Sequence, residues 1–520
     1  MPALRDVHTQ LDLVLGALRR YPDREAFRQD DRGFTYREIA DLLGRWGAVL
    51  ARLGVGERGG VGLLSPNRPE VWLGQVAPGL VGGRYTALHP LGSLEDHLYM
   101  VREAELRVLL IDPAYAERGA QLLERSGVVE HVLSFGPCEV GRDVNAMAAD
   151  AGPHALPASA GTADQLSWLL YTGGTTGVPK AAMLTEGGLG QMILNVSTGW
   201  DLPSERRYLA VAPISHAAGM MVTPTLMRGG TVVLQKGWDP QRWLDLVARE
   251  RITMSLLVPT MIYSLLDAPG LAQADLATLE TIMYGASPMS PSRLVEGIER
   301  IGPVFSQLYG QTECAGITSC LWRHQHVVGD LHRLTSCGQA MPGARVAILD
   351  DDGRELPDGT PGEICVQSPT VMQGYFRQPA LTEETLAGGW LHTGDVGTRD
   401  PEGFLHIVDR KKDMIVTGGF NVFPREIEDV LSQDPAVSAA AVIGVPDERW
   451  GEAVKALVVA RPGATVDATA LIERVRAAKG AIHAPKTVEV VASLPLTPVG
   501  KPDKKVLRAP YWAGRTRRVN

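Results

Sequence analysis

The chain has 520 residues, with 51 Lys and Arg against 59 Asp and Glu, and a formal net charge of −8. Hydrophobic residues make up 45% and charged residues 21%, which excludes a disordered polyelectrolyte and suffices for a large core. The mild acidic balance gives no support for non-specific nucleic-acid binding, which requires a basic surface. The length predicts more than one structural unit, because single cores stop growing near ~250–300 residues. With 57 glycines and 35 prolines, the chain is expected to be rich in loops.

The five cysteines are scattered and show no Cys-x-x-Cys spacing, which excludes a zinc ribbon and a thioredoxin-like motif. Asp6 and Asp12 interrupt the N-terminal segment, so it lacks the pattern of a secretory signal. The longest apolar stretches, such as 253–266, are shorter than the ~20 residues that span a bilayer. We therefore expect a soluble cytoplasmic protein without a transmembrane segment.

Residues 34–410 alternate between helical and strand-like patterns. The segment 37–53 carries apolar residues at three- and four-residue spacing, which predicts an amphipathic helix, and the run 60–64 predicts a short strand. The apolar runs 108–111 and 167–170 predict two further buried strands. Because short strands that alternate with helices are typical of βαβ units, we expect an α/β domain of mixed, largely parallel sheets with flanking helices.

A charged cluster at 409–413 separates this region from a smaller unit. We place the domain boundary there, which gives an N-terminal domain over 1–410 and a small α+β C-terminal domain over 411–520. In the smaller domain the patterns predict helices over 424–431 and 468–479, strands over 439–445 and 456–460, and a basic tail from Lys501.

The most informative motif is Tyr171-Thr-Gly-Gly-Thr-Thr-Gly-Val-Pro-Lys180. Its glycines and threonines can form a loop whose backbone N–H groups and hydroxyls surround a polyphosphate, and Lys180 adds a positive charge. It is not a Walker A loop, because Gly-x4-Gly-Lys-Ser/Thr is absent, and no Gly-x-Gly-x-x-Gly dinucleotide fingerprint fits. Taken alone, a loop of this composition is also compatible with a simple turn.

Seven further motifs follow in order: Tyr284-Gly-Ala-Ser287, Leu308-Tyr-Gly-Gln-Thr-Glu313, Pro361-Gly-Glu-Ile364, Trp390-Leu-His-Thr-Gly-Asp395, Asp409-Arg-Lys-Lys-Asp413, Gly418-Gly-Phe-Asn-Val-Phe-Pro424 and Pro495-Leu-Thr-Pro-Val-Gly-Lys501. Together they resemble the adenylate-forming superfamily, which includes acyl-CoA synthetases, aryl-CoA ligases, luciferases and nonribosomal peptide adenylation domains. The resemblance extends over nearly the whole chain, from residue 34 to the tail. It implies an ATP-dependent, AMP-forming acyl-CoA ligase that converts a carboxylic acid into an acyl-adenylate and then into a CoA thioester.

The resemblance also implies an ATP site. Thr172, Thr175, Thr176 and Lys180 would hold the phosphates, Tyr309 would stack on adenine, and Asp395 with Arg410 would hold the ribose. The full implied set for ATP and AMP is Thr172, Gly173, Gly174, Thr175, Thr176, Gly177, Lys180, Gly285, Ala286, Ser287, Tyr309, Gly310, Gln311, Thr312, Asp395, Ile407, Arg410 and Lys501. Glu313 would bind Mg²⁺, a hard cation that prefers carboxylate and phosphate oxygens.

Four residues take catalytic roles in this resemblance: Lys501, Glu313, Thr172 and His216. Lys501 would reach from the small domain to the carboxylate and the α-phosphate, whereas Lys504 and Lys505 are interpreted as exposed tail lysines. The implied acyl-binding residues are His216, Met220, Tyr284 and Ser287. Because no Asp or Glu lies between residues 211 and 223, an α-amino acid is a poor candidate for the substrate. A purely structural role for His216 stays open.

In this family the C-terminal domain is mobile and rotates between the two half-reactions. The hinge position matches Lys412, and Gly418, Gly419 and Trp450 are expected at the CoA site. Two alternatives are a ligase that loads the phosphopantetheine of a carrier protein and a non-catalytic nucleotide or acyl sensor; a luciferase-type oxygenase is a further one.

The acid is expected to be hydrophobic, and medium-chain, aromatic and polycyclic acids all fit; oligomeric state stays open, with a homodimer as one option. Ala181 and Glu186 depart from the family pattern, and Glu186 is expected to alter access of the carboxylate.

Overall fold

The computed structural model describes residues 8–56, 59–158, 160–172, 179–410, 413–418, 420–497 and 502–513. The helices are α1 (Gln10–Arg20), α2 (Tyr36–Arg52), α3 (Pro69–Leu80), α4 (Leu94–Glu103), α5 (Ala116–Ser126), α6 (Val144–Asp150), α7 (Glu186–Gly199), α8 (Val222–Leu226), α9 (Pro240–Arg249), α10 (Pro259–Leu266), α11 (Pro291–Ile301), α12 (Leu331–Thr335), α13 (Pro379–Thr385), α14 (Pro424–Leu431), α15 (Ala468–Lys479) and α16 (Lys504–Arg508). Among the described helices, none combines the length and apolar character that a bilayer span requires.

The strands are β1 (Glu25–Gln29), β2 (Arg32–Thr35), β3 (Gly60–Leu64), β4 (Arg84–Ala87), β5 (Leu106–Ile111), β6 (His131–Ser134), β7 (Arg142–Asp143), β8 (Leu166–Thr172), β9 (Lys180–Thr185), β10 (Arg207–Ala210), β11 (Thr231–Leu234), β12 (Met254–Leu257), β13 (Thr281–Gly285), β14 (Phe305–Tyr309), β15 (Ser319–Leu321), β16 (Gln339–Ala340), β17 (Arg345–Leu349), β18 (Gly362–Gln367), β19 (Leu391–Arg399), β20 (Leu405–Arg410), β21 (Ile415–Thr417), β22 (Phe420–Val422), β23 (Val437–Asp447), β24 (Gly451–Ala460) and β25 (Thr487–Val491).

Two mixed sheets form the larger part of the molecule. Sheet I has the strand order β16-β15-β14-β13-β12-β10-β11-β1-β2, and sheet II has the order β7-β6-β5-β3-β4-β8-β9. Their central strands pair in parallel, and antiparallel pairs occur at β14–β15 and β8–β9. Strands such as β12 and β13 are buried along their whole length, as expected for parallel strands covered on both faces. The prediction of an α/β domain with mixed, largely parallel sheets is confirmed.

The residues at the start of helix α2 explain why the helix begins there. Thr35 accepts a hydrogen bond from the backbone N–H of Glu38, and the Glu38 side chain reaches back to the backbone of Thr35. Such a capping box satisfies two backbone donors that the first helical turn leaves free, and the cap contributes about 1 kcal/mol. The apolar face then buries Ile39, Leu43 and Trp46, in agreement with the amphipathic helix predicted over 37–53.

Sheets III and IV carry the later motifs. Sheet III has the order β17-β18-β19-β20 and ends at Arg410, and sheet IV has the order β22-β21-β24-β23, with β25 paired in parallel to β24. Hydrogen bonds among the described residues connect residues up to 410 with residues beyond 413. The backbone N–H of Arg425 donates to Asp409 Oδ2 at 3.0 Å, and Ser290 Oγ donates to Ser432 Oγ at 3.3 Å.

The topology places the sequence motifs at strand ends. Strands β13 and β14 are parallel neighbours, with Gly285 opposite Leu308, so the segments that follow them emerge at the same edge of sheet I. Strands β8 and β9 form an antiparallel pair in which Thr172 lies opposite Lys180, which holds the two ends of the predicted phosphate loop together. The loop residues 173–178 between them lie outside the described part of the chain.

Candidate active site

One corner of the site is built around the carboxylate of Glu313. This residue lies in the turn after β14 and is only 7% exposed. Thr172 Oγ1, at the end of β8, donates to Glu313 Oε1 at 3.4 Å. Two residues predicted for one site, 141 positions apart in sequence, are therefore in contact. The predicted residues Gly173, Gly174, Thr175, Thr176 and Gly177 lie outside the described residues.

Tyr375 is a member of this corner that the sequence patterns did not reveal. Its hydroxyl donates to Glu313 Oε1 at 2.7 Å, and Lys180 Nζ lies 4.5 Å from the centre of its ring. Burial raises the pKa of the Tyr375 phenol, and the charge of Glu313 raises it further, so the hydroxyl remains a donor near neutral pH. A buried carboxylate, a phenol and a lysine thus share one small volume.

The segment around Tyr375 reaches this corner because it runs alongside β9. The backbone N–H of Met183 donates to Gly374 O and that of Phe376 donates to Ala181 O, each at 2.9 Å. These bonds, with an antiparallel bridge between Ala182 and Tyr375, fix the ring beside the start of β9. A contact of this kind depends on strand pairing between distant segments, so no local pattern indicates it.

A second part of the site joins Tyr309, Asp395 and Arg410. The Tyr309 hydroxyl donates to Asp395 Oδ2 at 2.8 Å, and Arg410 Nε lies 3.1 Å from Asp395 Oδ1. Asp395 and Arg410 face each other across β19 and β20, and the Asp395 charge raises the pKa of the Arg410 guanidinium. Burial, followed by the charge of Asp395, raises the pKa of Tyr309. Ile407, which is partly buried, packs on the apolar cluster that contains Tyr309.

The backbone near Gly285 and Gly310 leaves no room for side chains. A Cβ on Gly285 would lie 2.4 Å from Leu308 O, and one on Gly310 would lie 2.1 Å from Gly316 O. Ala286 adopts a φ of 64°, in the left-handed region, and Ser287 follows it at the same edge of sheet I. The strands and turns therefore approach each other through bare backbone at the predicted adenine position.

The next residues, Gln311 and Thr312, lead from β14 into the turn that carries Glu313. The buried Gln311 Nε2 has no hydrogen-bond partner among the described residues. An unpaired buried donor of this kind costs about 1–3 kcal/mol, so it favours a ligand acceptor at this position.

His216 lies beside a second histidine, His89, which belongs to none of the sequence motifs. The centres of the His216 and His89 rings are 4.8 Å apart in an edge-to-face arrangement, and His216 Nδ1 is 2.9 Å from Ser215 Oγ. Burial lowers the pKa of His216 to about 3, with a smaller contribution from His89, and burial also lowers the pKa of His89. Both imidazoles are therefore neutral at pH 7.

The predicted acyl residues differ in their surroundings. Met220 is 8% exposed, and a Cβ on Gly316 would lie 2.7 Å from its methyl group. Beside Met220 an interior cavity of about 10 Å³ is lined by Gln10, Trp72, Gln75, Val76, Trp168, Met192, Ile193, Gly219, Met220 and Thr223. Tyr284 is fully buried in a core cluster and its hydroxyl is 3.0 Å from His326 Nε2, so its contacts are those of a core residue.

In the C-terminal region, Gly418 and Trp450 are in contact. The backbone N–H of Gly418 donates to Trp450 O at 2.8 Å, and a Cβ on Gly418 would lie 2.5 Å from the Trp450 ring. Trp450 is 39% exposed, and the cationic groups of Arg449 and Lys486 lie 4.9 Å and 5.8 Å from its ring centre. Lys412, Gly419 and Lys501 lie outside the described residues.

Two sequence interpretations are wrong. Lys504 is not an exposed tail lysine, because its Nζ lies 2.8 Å from Glu428 Oε1 and its side chain is 17% exposed; Lys505 is exposed. Glu186 does not lie at an open entrance, because it is fully buried. It accepts hydrogen bonds from the backbone N–H of Leu11 at 3.0 Å and from Ser167 Oγ at 2.5 Å, and burial raises its pKa to about 6.

Comparisons with known proteins identify the family. The model of the AMP-binding enzyme family matches residues 16–376, and that of the AMP-binding enzyme C-terminal domain matches residues 426–501. The chain is 44% identical over 521 residues to the medium/long-chain-fatty-acid–CoA ligase FadD8 of Mycobacterium tuberculosis, covering 98% of this chain and 91% of that protein.

Solved structures give the same result. The amide bond synthetase McbA from Marinactinospora thermotolerans superposes with a TM-score of 0.89 at 34% identity, covering 96% of this chain and all of that one. ATP-bound MatB from Rhodopseudomonas palustris has a TM-score of 0.88 at 30% identity, covering 97% and 99% of the two chains. The chain therefore belongs to the family of AMP-binding, adenylate-forming enzymes. Within that family it is an ATP-dependent, AMP-forming acyl-CoA ligase, for which ATP and CoA are substrates.

Proposed function

We propose that this enzyme activates a hydrophobic carboxylic acid of medium to long chain length at the corner formed by Glu313, Tyr375 and Lys180. In the first half-reaction the acid's carboxylate attacks the α-phosphorus of ATP, which forms the acyl-adenylate and releases pyrophosphate. In the second, the CoA thiol attacks the acyl carbon, so that a thioester forms and AMP leaves. The observation that carries the proposal is the 2.7 Å hydrogen bond that fixes the buried Glu313 carboxylate beside Lys180.

Glu313 has the chemistry of a Mg²⁺ ligand. Its Oε1 accepts hydrogen bonds from Tyr375 and Thr172, while Oε2 accepts none from the part of the chain that the structure describes. A buried carboxylate with a free oxygen suits a small hard cation that shares its coordination with phosphate oxygens. We propose that Glu313 holds Mg²⁺, which when bound offsets the negative charge of the triphosphate.

The remaining polar residues are proposed to orient ATP. Thr172, Thr175, Thr176 and Lys180 bind the phosphates of ATP and of the departing pyrophosphate. Lys501 places its ammonium between the substrate carboxylate and the α-phosphate, where negative charge increases in the transition state. The substrate carboxylate and ATP are both anions, and their repulsion is the main electrostatic obstacle to the reaction. The cations and hydroxyls reduce this repulsion and hold the two reactants close together.

The nucleoside has its own proposed contacts. Asp395 accepts hydrogen bonds from the ribose hydroxyls and Arg410 donates to them, because the half-exposed Arg410 side chain already meets the buried Asp395 carboxylate. Tyr309 stacks on one face of adenine. The backbone of residues 285–287 and residues 310–312 surround the rest of the base. The unpaired Nε2 of Gln311 supports a ligand acceptor here.

The nature of the acid is inferred from the acyl side. His216 and His89 are neutral, and no acidic residue occurs between positions 211 and 223, so nothing there would attract an amino group. Met220 presents an apolar surface next to the interior cavity. The 44% identity to a ligase named for medium- and long-chain fatty acids supports an aliphatic acid. Ser287 and the His216 ring are proposed to contact its carboxylate end.

For the thioester step we propose a domain rotation. The C-terminal domain, residues 411–520, would turn about Lys412 relative to residues 1–410. Such a turn would break the hydrogen bonds between Arg425 and Asp409 and between Ser290 and Ser432. Gly418 and Gly419 would then line the path of the pantetheine, and Trp450, flanked by two cations, would contact CoA.

The test is a substrate screen with the purified enzyme. Saturated fatty acids of increasing length, aromatic acids and polycyclic acids are each incubated with MgATP, and pyrophosphate is measured. CoA or a phosphopantetheine-bearing carrier protein is then added, and AMP and thioester are measured. We expect the highest turnover with a medium- or long-chain fatty acid, and AMP and acyl-CoA in equal amounts. Preference for an aromatic acid would contradict the proposed acid, and faster transfer to a carrier protein than to CoA would contradict the proposed acceptor.

A further inference from the structure

Three potential metal ligands come together outside the ATP site. They are His332 on the short helix α12, Asp400 in the turn between β19 and β20, and His406 on β20. One ligand atom from each side chain lies within 4.8 Å of both others. The three residues come from two segments that pack together because the backbone N–H of Cys337 donates to Leu405 O at 2.7 Å.

The turn fixes the orientation of Asp400. Its Oδ1 accepts hydrogen bonds from the backbone N–H groups of Glu402 and Phe404, each at 2.9 Å. Gly403 completes the turn with a φ of 86°, which few residues other than glycine adopt. The second oxygen, Oδ2, therefore points away from the turn and lies 3.5 Å from His406 Nε2.

His406 Nε2 is close to a single charged oxygen, Asp400 Oδ2 at 3.5 Å, without a well-formed hydrogen bond to it. It is a buried nitrogen that forms no hydrogen bond with any described residue, although the His332 ring centre is only 4.3 Å from that of His406. One ligand nitrogen of each ring lies within 4.8 Å of an Asp400 carboxylate oxygen. Neutral imidazole is the form that binds metals.

The neighbouring cations are already paired with acids. Arg333 lies 2.9 Å from Glu402 and 3.3 Å from Asp330, and Arg425 lies 3.9 Å from Asp429. They are therefore partly neutralised and do not take up the Asp400 oxygen that faces the histidines. A pair of facing imidazoles next to a carboxylate, with one buried nitrogen unpaired, is an arrangement that a divalent cation would complete.

A second cluster, Glu363, Cys365 and His392, is a weaker candidate. Cys365 Sγ and Glu363 Oε2 both contact the same ring nitrogen, His392 Nδ1, at 3.4 Å and 3.1 Å. Glu363 Oε1 also accepts a hydrogen bond from the backbone N–H of Gly394 at 2.8 Å. Because these side chains already form polar contacts with one another, the cluster gives less reason to expect a bound ion.

We infer that His332, Asp400 and His406 form a binding site for a divalent transition metal of the zinc type. Imidazole nitrogens favour Zn²⁺, Cu²⁺ and Ni²⁺ over Mg²⁺, and two nitrogens with one carboxylate leave the fourth position of a tetrahedral Zn²⁺ for water. Ligand atoms around tetrahedral zinc are separated by roughly 3.3–3.5 Å. Asp400 Oδ2 and His406 Nε2 are already 3.5 Å apart, which fits this spacing. His332 is exposed, so its side chain can move to complete the set of three ligands.

The metal would connect α12 to the β19–β20 turn. His406 and Arg410 lie on the same strand, four residues apart, which corresponds to about 13 Å. The site is therefore separate from the position of Arg410, and its expected role is to stabilise the fold around the nucleotide site without taking part in the chemistry.

The experiment is titration of the full-length, chelator-treated enzyme with ZnCl₂ in the absence of ATP, by isothermal calorimetry. We expect one saturable site per chain and a zinc-dependent rise in melting temperature. His332→Ala changes an exposed residue and should fold normally, but it should weaken zinc binding by roughly tenfold or more. His324→Ala is the matched control, because His324 is another exposed histidine in a short helical turn, and it should bind zinc as the unchanged enzyme does.

Two further variants locate the site independently. Glu313→Gln tests binding at the ATP site, and Cys365→Ser tests the second cluster; both should retain the zinc affinity of the unchanged enzyme. The inference is overturned by the absence of saturable binding, by full affinity in His332→Ala, or by loss of binding in either of these two variants.

Discussion

Tyr375 provides the sharpest test of how the Glu313 corner works. The change Tyr375→Phe removes a hydroxyl that donates to Glu313 Oε1 at 2.7 Å and retains the ring beside Lys180. Tyr375 is 4% exposed and Glu313 7% exposed, so water cannot easily replace the lost donor. Hydrogen bonds to charged groups contribute about 1.5–3 kcal/mol, which corresponds to roughly a 10- to 150-fold slower adenylation if the bond persists in the transition state.

The assay separates the two half-reactions. Adenylation is followed by pyrophosphate release at several Mg²⁺ concentrations, and thioester formation is followed from synthetic acyl-adenylate and CoA. We expect Tyr375→Phe to slow adenylation and to raise the Mg²⁺ concentration needed for half-maximal rate, while thioester formation changes little. Tyr36→Phe is the control, because it also removes a buried hydroxyl, which donates to Gly230 O at 2.7 Å, far along the chain from the ATP motifs. Equal loss in both half-reactions, or an unchanged Mg²⁺ requirement, would refute the positioning role of Tyr375.

Three other predictions concern separate parts of the molecule. The pKa of Glu186 is raised from 4.5 to about 6 in the folded state, so the folded protein loses about 2 kcal/mol of stability as the pH rises through this window. Glu186→Gln cannot ionise, so its free energy of unfolding relative to that of the unchanged enzyme should increase between pH 4.5 and 7; parallel curves would contradict this. Arg410→Ala leaves the buried Asp395 without its cation and should raise the KM for ATP by roughly tenfold while the KM for CoA stays the same; equal effects on both would contradict a ribose-side role. Trp450→Ala should raise the KM for CoA by roughly 2- to 30-fold and leave pyrophosphate release unaffected; slower pyrophosphate release would place Trp450 elsewhere.

The sequence predicted those parts of the site that short motifs define. Tyr309, Asp395 and Arg410 come from three separate motifs, and the structure brings them within hydrogen-bond distance. Their common place in a nucleotide site was expected from the resemblance to the adenylate-forming superfamily. The amphipathic pattern of 37–53 and the apolar strands were also recognisable, because helix and strand periodicity is a local property.

The residues that were missed or misread depend on long-range packing. Tyr375 enters the site only because its segment pairs with β9, and His89 meets His216 across 127 positions of sequence. Lys504 is paired with Glu428, which lies on a helix formed much earlier in the chain. Glu186 is buried by α1, which is distant in sequence. In each case the decisive partner is set by tertiary contacts, and composition or spacing near the residue carries no information about it.

The central claim is that the enzyme forms an acyl-adenylate at the Glu313 corner, and ATP–pyrophosphate exchange in the absence of CoA measures this most directly. With a medium- or long-chain fatty acid, exchange should depend on both the acid and Mg²⁺ and should fall sharply in Glu313→Gln and Lys501→Ala. Exchange that does not require the acid, formation of ADP in place of AMP, or undiminished exchange in Glu313→Gln would contradict the account.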